Sequence, residues 1–138
     1  MTHNLRISLF PHEQDWRTGC IHRRTQETRL PLIGYPLESG LNEANINGLP
    51  IMTIEGKEME LSSFRLAEEP NEYLIRLYDI LGERGNCTLK FSSRIRRAIL
   101  IDFLGNEIGE LAYESNAVIL PVDPYSIITM KVQLDKEI

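Results

Sequence analysis

Apolar and polar residues alternate along much of the chain, and the clearest case is the run from residue 73 to residue 78. In an extended conformation Tyr73, Ile75 and Leu77 share one face, and the opposite face also carries apolar side chains. A strand that is apolar on both faces is typical of the interior of a sheet. The run is therefore predicted to form a central β-strand.

A second run of strand composition, residues 63–66, lies just upstream of this strand. The charged residues, proline and asparagine at 68–71 between the two runs are typical of a turn, so residues 61–79 are predicted to fold as a β-hairpin. Turn residues also separate the later runs that have strand composition. These predicted strands are residues 87–91, 97–103, 109–113, 117–120 and 125–134.

The first third of the chain has a different pattern. Alternation over residues 5–9 predicts a strand, and helical spacing after Asp15, a suitable N-cap, predicts a short helix within residues 15–28. Glycine and asparagine predict a long loop over residues 38–57, with one short strand within 49–54. The fold class expected is an all-β antiparallel sandwich with one short helix near the N-terminus, formed as a single domain over residues 1–138.

Composition excludes several classes of partner. The chain has 138 residues with a formal net charge of -5, which provides no attraction for nucleic acid. No apolar run approaches the roughly 20 residues that a membrane helix needs. Cys20 and Cys87 lack the spacing of a metal site or redox pair, so free thiols and a cytoplasmic location are expected.

Three separated segments resemble the C-terminal β domain of α-mannosidases of glycoside hydrolase family 38. The first follows the strand predicted over residues 5–9, the second is the hairpin with a glycine turn after it, and the third leads into the last strand. Their sequences are Phe10-Pro11-His12-Glu13-Gln14-Asp15-Trp16-Arg17 with Leu30-Pro31-Leu32, then Ser62-Ser63-Phe64-Arg65-Leu66-Ala67-Glu68-Glu69 with Leu74-Ile75-Arg76-Leu77-Tyr78-Asp79 and Gly82, and finally Leu120-Pro121-Val122-Asp123-Pro124-Tyr125-Ser126-Ile127-Ile128-Thr129-Met130.

The resemblance implies a fragment of a larger retaining glycosidase whose nucleophile and zinc ligands precede this region. No residue of the chain matches a catalytic or metal-binding motif, and His3, His12 and His22 lack the spacing of metal ligands. The implied function is a non-catalytic domain that packs on and supports the catalytic domain of the same parent chain. We expect no cofactor in this chain, and the resemblance implies zinc in the catalytic domain of the parent enzyme.

The alternative function is a stand-alone carbohydrate-binding module for α-mannosides. Trp16 is the only tryptophan and is the candidate side chain for stacking on a sugar ring. Its other role would be packing between domains, since buried aromatic rings contribute strongly to cores and interfaces. A domain taken from a larger enzyme is also expected to expose an apolar patch and to form a weak homo-oligomer.

Overall fold

The computed structural model of the protein describes residues 7–30, 33, 50–56 and 58–135. The chain divides into two compact units, Met1–Ile46 and Asn47–Ile138. The expectation of a single domain over residues 1–138 stays a prediction, and most of the predicted loop at 38–57 lies outside the described residues. Within the described residues, no helix has the length and apolar character needed to cross a membrane.

The first unit contains helix α1, Ile21–Arg29. The predicted helix is confirmed, but it begins later than Asp15 because Cys20 adopts a left-handed conformation with φ 51° immediately before it. Asp15 caps the turn that precedes the helix rather than the helix itself, and its carboxylate accepts from the Thr18 backbone N–H at 2.8 Å. Trp16 lies in this turn.

The strand predicted over residues 5–9 is wrong for its described part. Residues 7–9 form no strand, and Ile7 and Leu9 are 75% and 92% exposed. Alternation alone does not make a strand, because the backbone groups need a partner strand. Residues 7–30 contain no other strand beside which this run could pair. Residues 5 and 6 lie outside the described part of the chain.

The second unit consists of antiparallel strands in two sheets, which confirms the all-β sandwich. One sheet has the order β1-β4-β8-β7 and the other the order β2-β3-β9-β5-β6. The strands are β1 Met52–Gly56, β2 Glu60–Leu66, β3 Glu72–Tyr78, β4 Gly85–Phe91, β5 Ile95–Ile101, β6 Glu107–Glu110, β7 Tyr113–Glu114, β8 Ala117–Val122 and β9 Ile127–Leu134.

Strand β3 lies between β2 and β9, as its two apolar faces predicted. Ile75 and Leu77 are completely buried, and alternate residues of strands from both sheets meet them in the core. Burial of each such side chain contributes about 1.5–3 kcal/mol. The other members of this core cluster with at most 2% exposure are Cys87, Leu89, Phe91, Ala98, Val118, Leu120, Val122, Met130, Val132 and Leu134.

The strand predicted over residues 109–113 is divided between the two sheets. Leu111 donates its backbone N–H to Ala98 of β5 at 2.9 Å, whereas the carbonyl of Ala112 accepts from Ile119 of β8 at 3.3 Å. The chain therefore passes from one sheet to the other at this point, and β6 ends before β7 begins. Sequence alternation does not reveal such a crossing, since both short strands share the same period.

Candidate functional site

Asp79 forms a buried polar site in the second unit. Its carboxylate accepts from the backbone N–H groups of Leu81 at 3.2 Å, Gly82 at 2.9 Å and Tyr125 at 2.8 Å. The residue is 4% exposed. These bonds join the turn after β3 to the turn before β9, and buried carboxylates that accept backbone N–H groups stabilise local structure strongly. Asp79 and Gly82 both belong to the hairpin segment that carries the family resemblance.

Gly82 is fixed in this site by its backbone conformation and by its neighbour. Its φ is +74°, a region that residues with a Cβ rarely adopt, and the Tyr125 ring occupies the space that a Cβ would need. Tyr125 itself has φ 57° and is 65% exposed. The ring therefore covers the turn while remaining at the surface.

We expect Gly82→Ala to lower the free energy of unfolding by about 1–3 kcal/mol, because it combines left-handed backbone strain with displacement of the Tyr125 ring. Gly105→Ala is the matched control, since Gly105 has φ +91° but open space, with no contact within 4 Å, where a Cβ would stand. Urea unfolding of both variants separates the two effects. Equal losses would show that the Tyr125 contact contributes nothing.

Asp15 and Asp102 are acceptors at the surface. Asp15 accepts from Thr18 and Arg17, and Asp102 accepts from Asn106 and Leu104. Hydrogen bonds from Thr18, first its backbone and then its side chain, lower the pKa of Asp15. The Asn106 side chain and backbone do the same for the pKa of Asp102. Both groups are held ionised, which suits capping and does not suit general acid chemistry at neutral pH.

The lowered pKa of Asp15 predicts a pH dependence for the turn that contains Trp16. A depressed carboxyl pKa stabilises the folded turn above the ordinary value of 3.8, and this contribution is lost as the pH falls through the folded-state pKa. We expect the side-chain carboxyl ¹³C resonance of Asp15 to titrate below 3.8. Asp15→Asn keeps an acceptor without the titration and should remove the acid transition at Trp16. A titration at or above 3.8 would contradict the capping role.

Trp16, the sugar-stacking candidate, is 38% exposed and has side chains on two sides of its ring. The Arg17 guanidinium carbon lies over one ring face, 4.7 Å from the centroid, and His22 meets the ring edge-on with centroids 6.3 Å apart. A cation over an aromatic face is a stabilising contact in its own right. One ring face is therefore occupied, and a sugar would have to use the other face or displace Arg17.

The first unit also contains an open cavity beside α1, with a volume of about 380 Å³. Arg24 takes part in two contacts here: its guanidinium carbon lies 5.9 Å from the Phe10 ring centroid, and Nη1 bonds Glu27 Oε2 at 3.0 Å. The hydroxyls of Thr25 and Thr28 bond helix carbonyls at 2.9 Å. Three polar side chains of the cavity, those of Arg24, Thr25 and Thr28, therefore have partners within α1. The cavity is lined by Ser8, Phe10, His12, Ile21, Arg24, Thr25, Thr28 and Arg29.

Comparison with known proteins identifies the family. The family model described as "Glycosyl hydrolases family 38 C-terminal beta sandwich domain" matches residues 58–130, which contain β2 to β8 and the first part of β9. The chain belongs to this family. The resemblance inferred from the hairpin and the last strand is thereby confirmed.

A curated relative supports the family 38 assignment over a longer stretch. Alpha-mannosidase 2C1 of Homo sapiens is 22% identical over 133 residues, which cover 93% of the chain and 12% of that protein. The chain thus spans about an eighth of the length of this relative. No solved structure matches the chain.

The family match places the Asp79 site within the family 38 β-sandwich, because Asp79 and Gly82 lie between residues 58 and 130. Trp16 lies before the matched range, and its assignment as a packing or sugar-contact residue stays a prediction. The contact between Asp79 and Tyr125 was missed from the sequence, because the two residues are 46 positions apart. The one available signal is that both residues lie in segments that resemble the family 38 domain.

Proposed function

We propose that this chain is the non-catalytic C-terminal β-sandwich part of an α-mannosidase-like retaining hydrolase, and that it packs on and supports the catalytic part of that enzyme. The observation that carries the proposal is the family 38 match over residues 58–130, together with the structural use of the carboxylate within it. Asp79 holds three backbone N–H groups and is committed to that role.

The surface of the sandwich supports a packing role. The turn between β5 and β6 exposes Phe103 and Leu104, at 68% and 88%, and β6 itself exposes Ile108, at 62%. The turn is well ordered, since Asp102 accepts from the Leu104 and Asn106 backbone and the Arg76 guanidinium carbon lies 4.9 Å from the Phe103 ring centroid. Rigid, exposed apolar groups of this kind are typical of contact surfaces between domains.

Retaining hydrolysis normally requires two carboxyl groups about 5–5.5 Å apart, one as nucleophile and the other as acid and base. In the proposed enzyme those groups and the zinc ion belong to the catalytic part outside this chain. The sandwich contributes shape and rigidity to that part. We further propose a cytoplasmic location, with which the free thiols of Cys20 and Cys87 are consistent.

Hydrolysis of a chromogenic α-mannoside tests the proposal in two steps. The 138-residue chain alone should show no turnover with or without added Zn²⁺, and reproducible turnover would overturn the non-catalytic assignment. In the longer enzyme that the proposal requires, Phe103→Ser with Leu104→Ser should lower thermal stability and activity. Ile119→Ser, at a 47% exposed site on β8, is the control and should lower both clearly less.

The alternative function is a carbohydrate-binding module for α-mannosides that uses Trp16. Its support is the partial exposure of the only tryptophan in the chain, at 38%. The Arg17 contact over one ring face favours the supporting role instead, because it already satisfies that face.

A further inference from the structure

The four sheet edges of the second unit differ in how well they resist strand addition. Exposed edges are normally protected by short length, charge, proline or a bulge. Strand β7 has two residues, β6 has four with a glutamate at each end, and β1 has five and ends at Gly56 with φ +81°. Strand β2 has seven residues, and its only irregularity lies between Leu61 and Ser63. Among the residues that the structure describes, no strand pairs with the outer side of β2, and the second half of β2 is a regular edge.

The ladder between β2 and β3 shows which backbone groups reach that edge. Ala67 donates its N–H to Glu72 at 2.9 Å, so this pair bonds across the ladder. Along an antiparallel strand, the backbone N–H and C=O groups of successive residues point alternately to the strand on one side and to the opposite side. Arg65 therefore bonds towards β3, whereas Phe64 and Leu66 direct their N–H and C=O groups to the free edge.

An apolar groove lies beside the same edge. It has a volume of about 250 Å³ and is lined by Ile51, Met52, Leu61 and Phe64. The Phe64 ring is held in place by stacking on Tyr73, with centroids 5.3 Å apart. Leu66, two residues further along β2, is 66% exposed. The edge thus combines free backbone groups, a groove and a protruding apolar side chain.

We propose that β2 is a homodimerisation edge, at which β2 of a second copy pairs antiparallel and joins the two five-stranded sheets. The strand is self-complementary in one register. With Phe64 opposite Phe64 of the second copy, Arg65 faces Ser63 of the second copy, and no like charges oppose each other within the paired residues 62–66. Leu66 of the second copy then lies opposite Ser62, the residue at the irregularity of β2, next to the groove. A twofold axis through Phe64 makes the interface closed.

The neighbouring register is unfavourable for a physical reason. Shifting the pairing so that Phe64 bonds Leu66 of the second copy places Arg65 directly opposite Arg65 of the second copy. Like charges in opposed cross-strand positions are destabilising. The charge on β2 therefore selects the register and favours a defined dimer over open-ended aggregation.

Sedimentation equilibrium of the 138-residue chain tests the proposal, which is independent of the proposed function. The chain should show a concentration-dependent monomer–dimer equilibrium. Leu66→Pro removes an N–H that faces the free edge and breaks no bond to β3, so it should weaken dimerisation by about tenfold or more. Leu66→Thr is the matched control that keeps this N–H, and it should weaken dimerisation less.

The register is tested at the position that faces Arg65 of the second copy. Ser63→Glu should tighten the dimer and Ser63→Arg should loosen it, each by about threefold to tenfold because the contact occurs twice. A monomer at all concentrations would overturn the proposal, and a strand of a different polypeptide would then be the candidate partner for the β2 edge. A dimer that is equally insensitive to Leu66→Pro and to both Ser63 variants would place the interface elsewhere and would also overturn it.

Discussion

We expect Asp79→Ala to lower the free energy of unfolding by about 3–5 kcal/mol, among the largest losses that a single polar substitution can cause in this chain. The change leaves the backbone N–H groups of Leu81, Gly82 and Tyr125 without their acceptor at a site that is 4% exposed. A buried donor without a partner costs about 1–3 kcal/mol. Urea unfolding followed by circular dichroism measures the loss.

Asp102→Ala is the matched control for this prediction. Asp102 also accepts from two backbone N–H groups, those of Leu104 and Asn106, but it does so in an exposed turn where water can replace it. The loss at Asp102 should therefore be clearly smaller. Asp79→Asn, which keeps one acceptor oxygen, should fall between the two. Equal losses for Asp79→Ala and Asp102→Ala would show that burial does not determine the importance of the Asp79 site.

Leu120→Ala is expected to lower the free energy of unfolding by about 2–5 kcal/mol, because it leaves a cavity in the core between the two sheets. Leu120 is 1% exposed, whereas its neighbour Ile119 on the same strand is 47% exposed. Ile119→Ala should therefore cost less than about 1 kcal/mol. Both residues lie on the same strand with the same sequence around them, so the two variants differ mainly in the face of β8 that is changed.

Unfolding in urea, followed for both variants at one protein concentration, gives the two values. Similar losses would mean that β8 does not have one buried and one solvent-facing side. The prediction tests the register of β8 against β4, in which Leu120 pairs with Cys87. A shift of one residue would exchange the two faces and reverse the order of the effects.

The strands of the second unit were predictable because their periodicity and turn residues agree. The run at 73–78 has apolar residues on both faces, which indicated a strand in the interior of a sheet. Strand β9 was recognisable from the alternation that buries Met130, Val132 and Leu134. These signals are local. Pairing also needs a partner strand, and the described residues 7–30 contain none for residues 7–9.

Features that depend on an unusual local conformation or on distant parts of the chain were not predictable. The late start of α1 follows from the left-handed Cys20, although cysteine is not a residue that marks such a conformation in a sequence. The division at residues 109–113 follows from bonds to Ala98 and Ile119 on different sheets. The Asp79 site joins two turns that lie 46 residues apart, and only the folded sandwich brings them together.

The cysteines show how the fold changes a chemical expectation. Both were expected to be free thiols, and both are free. Burial raises the pKa of the Cys87 thiol to about 11, so this side chain is a neutral core residue at physiological pH. Cys20 is only half-buried and carries the local conformation that ends the turn before α1.

In the function that we propose, the chain supports a hydrolase and does not itself bind the sugar. An amide chemical-shift titration of the ¹⁵N-labelled chain with mannose and a short α-mannoside is the decisive test, because one spectrum reports both folding and binding. We expect a well-dispersed spectrum whose peaks do not move. Saturable shifts clustered around Trp16 would contradict it and would identify a carbohydrate-binding module.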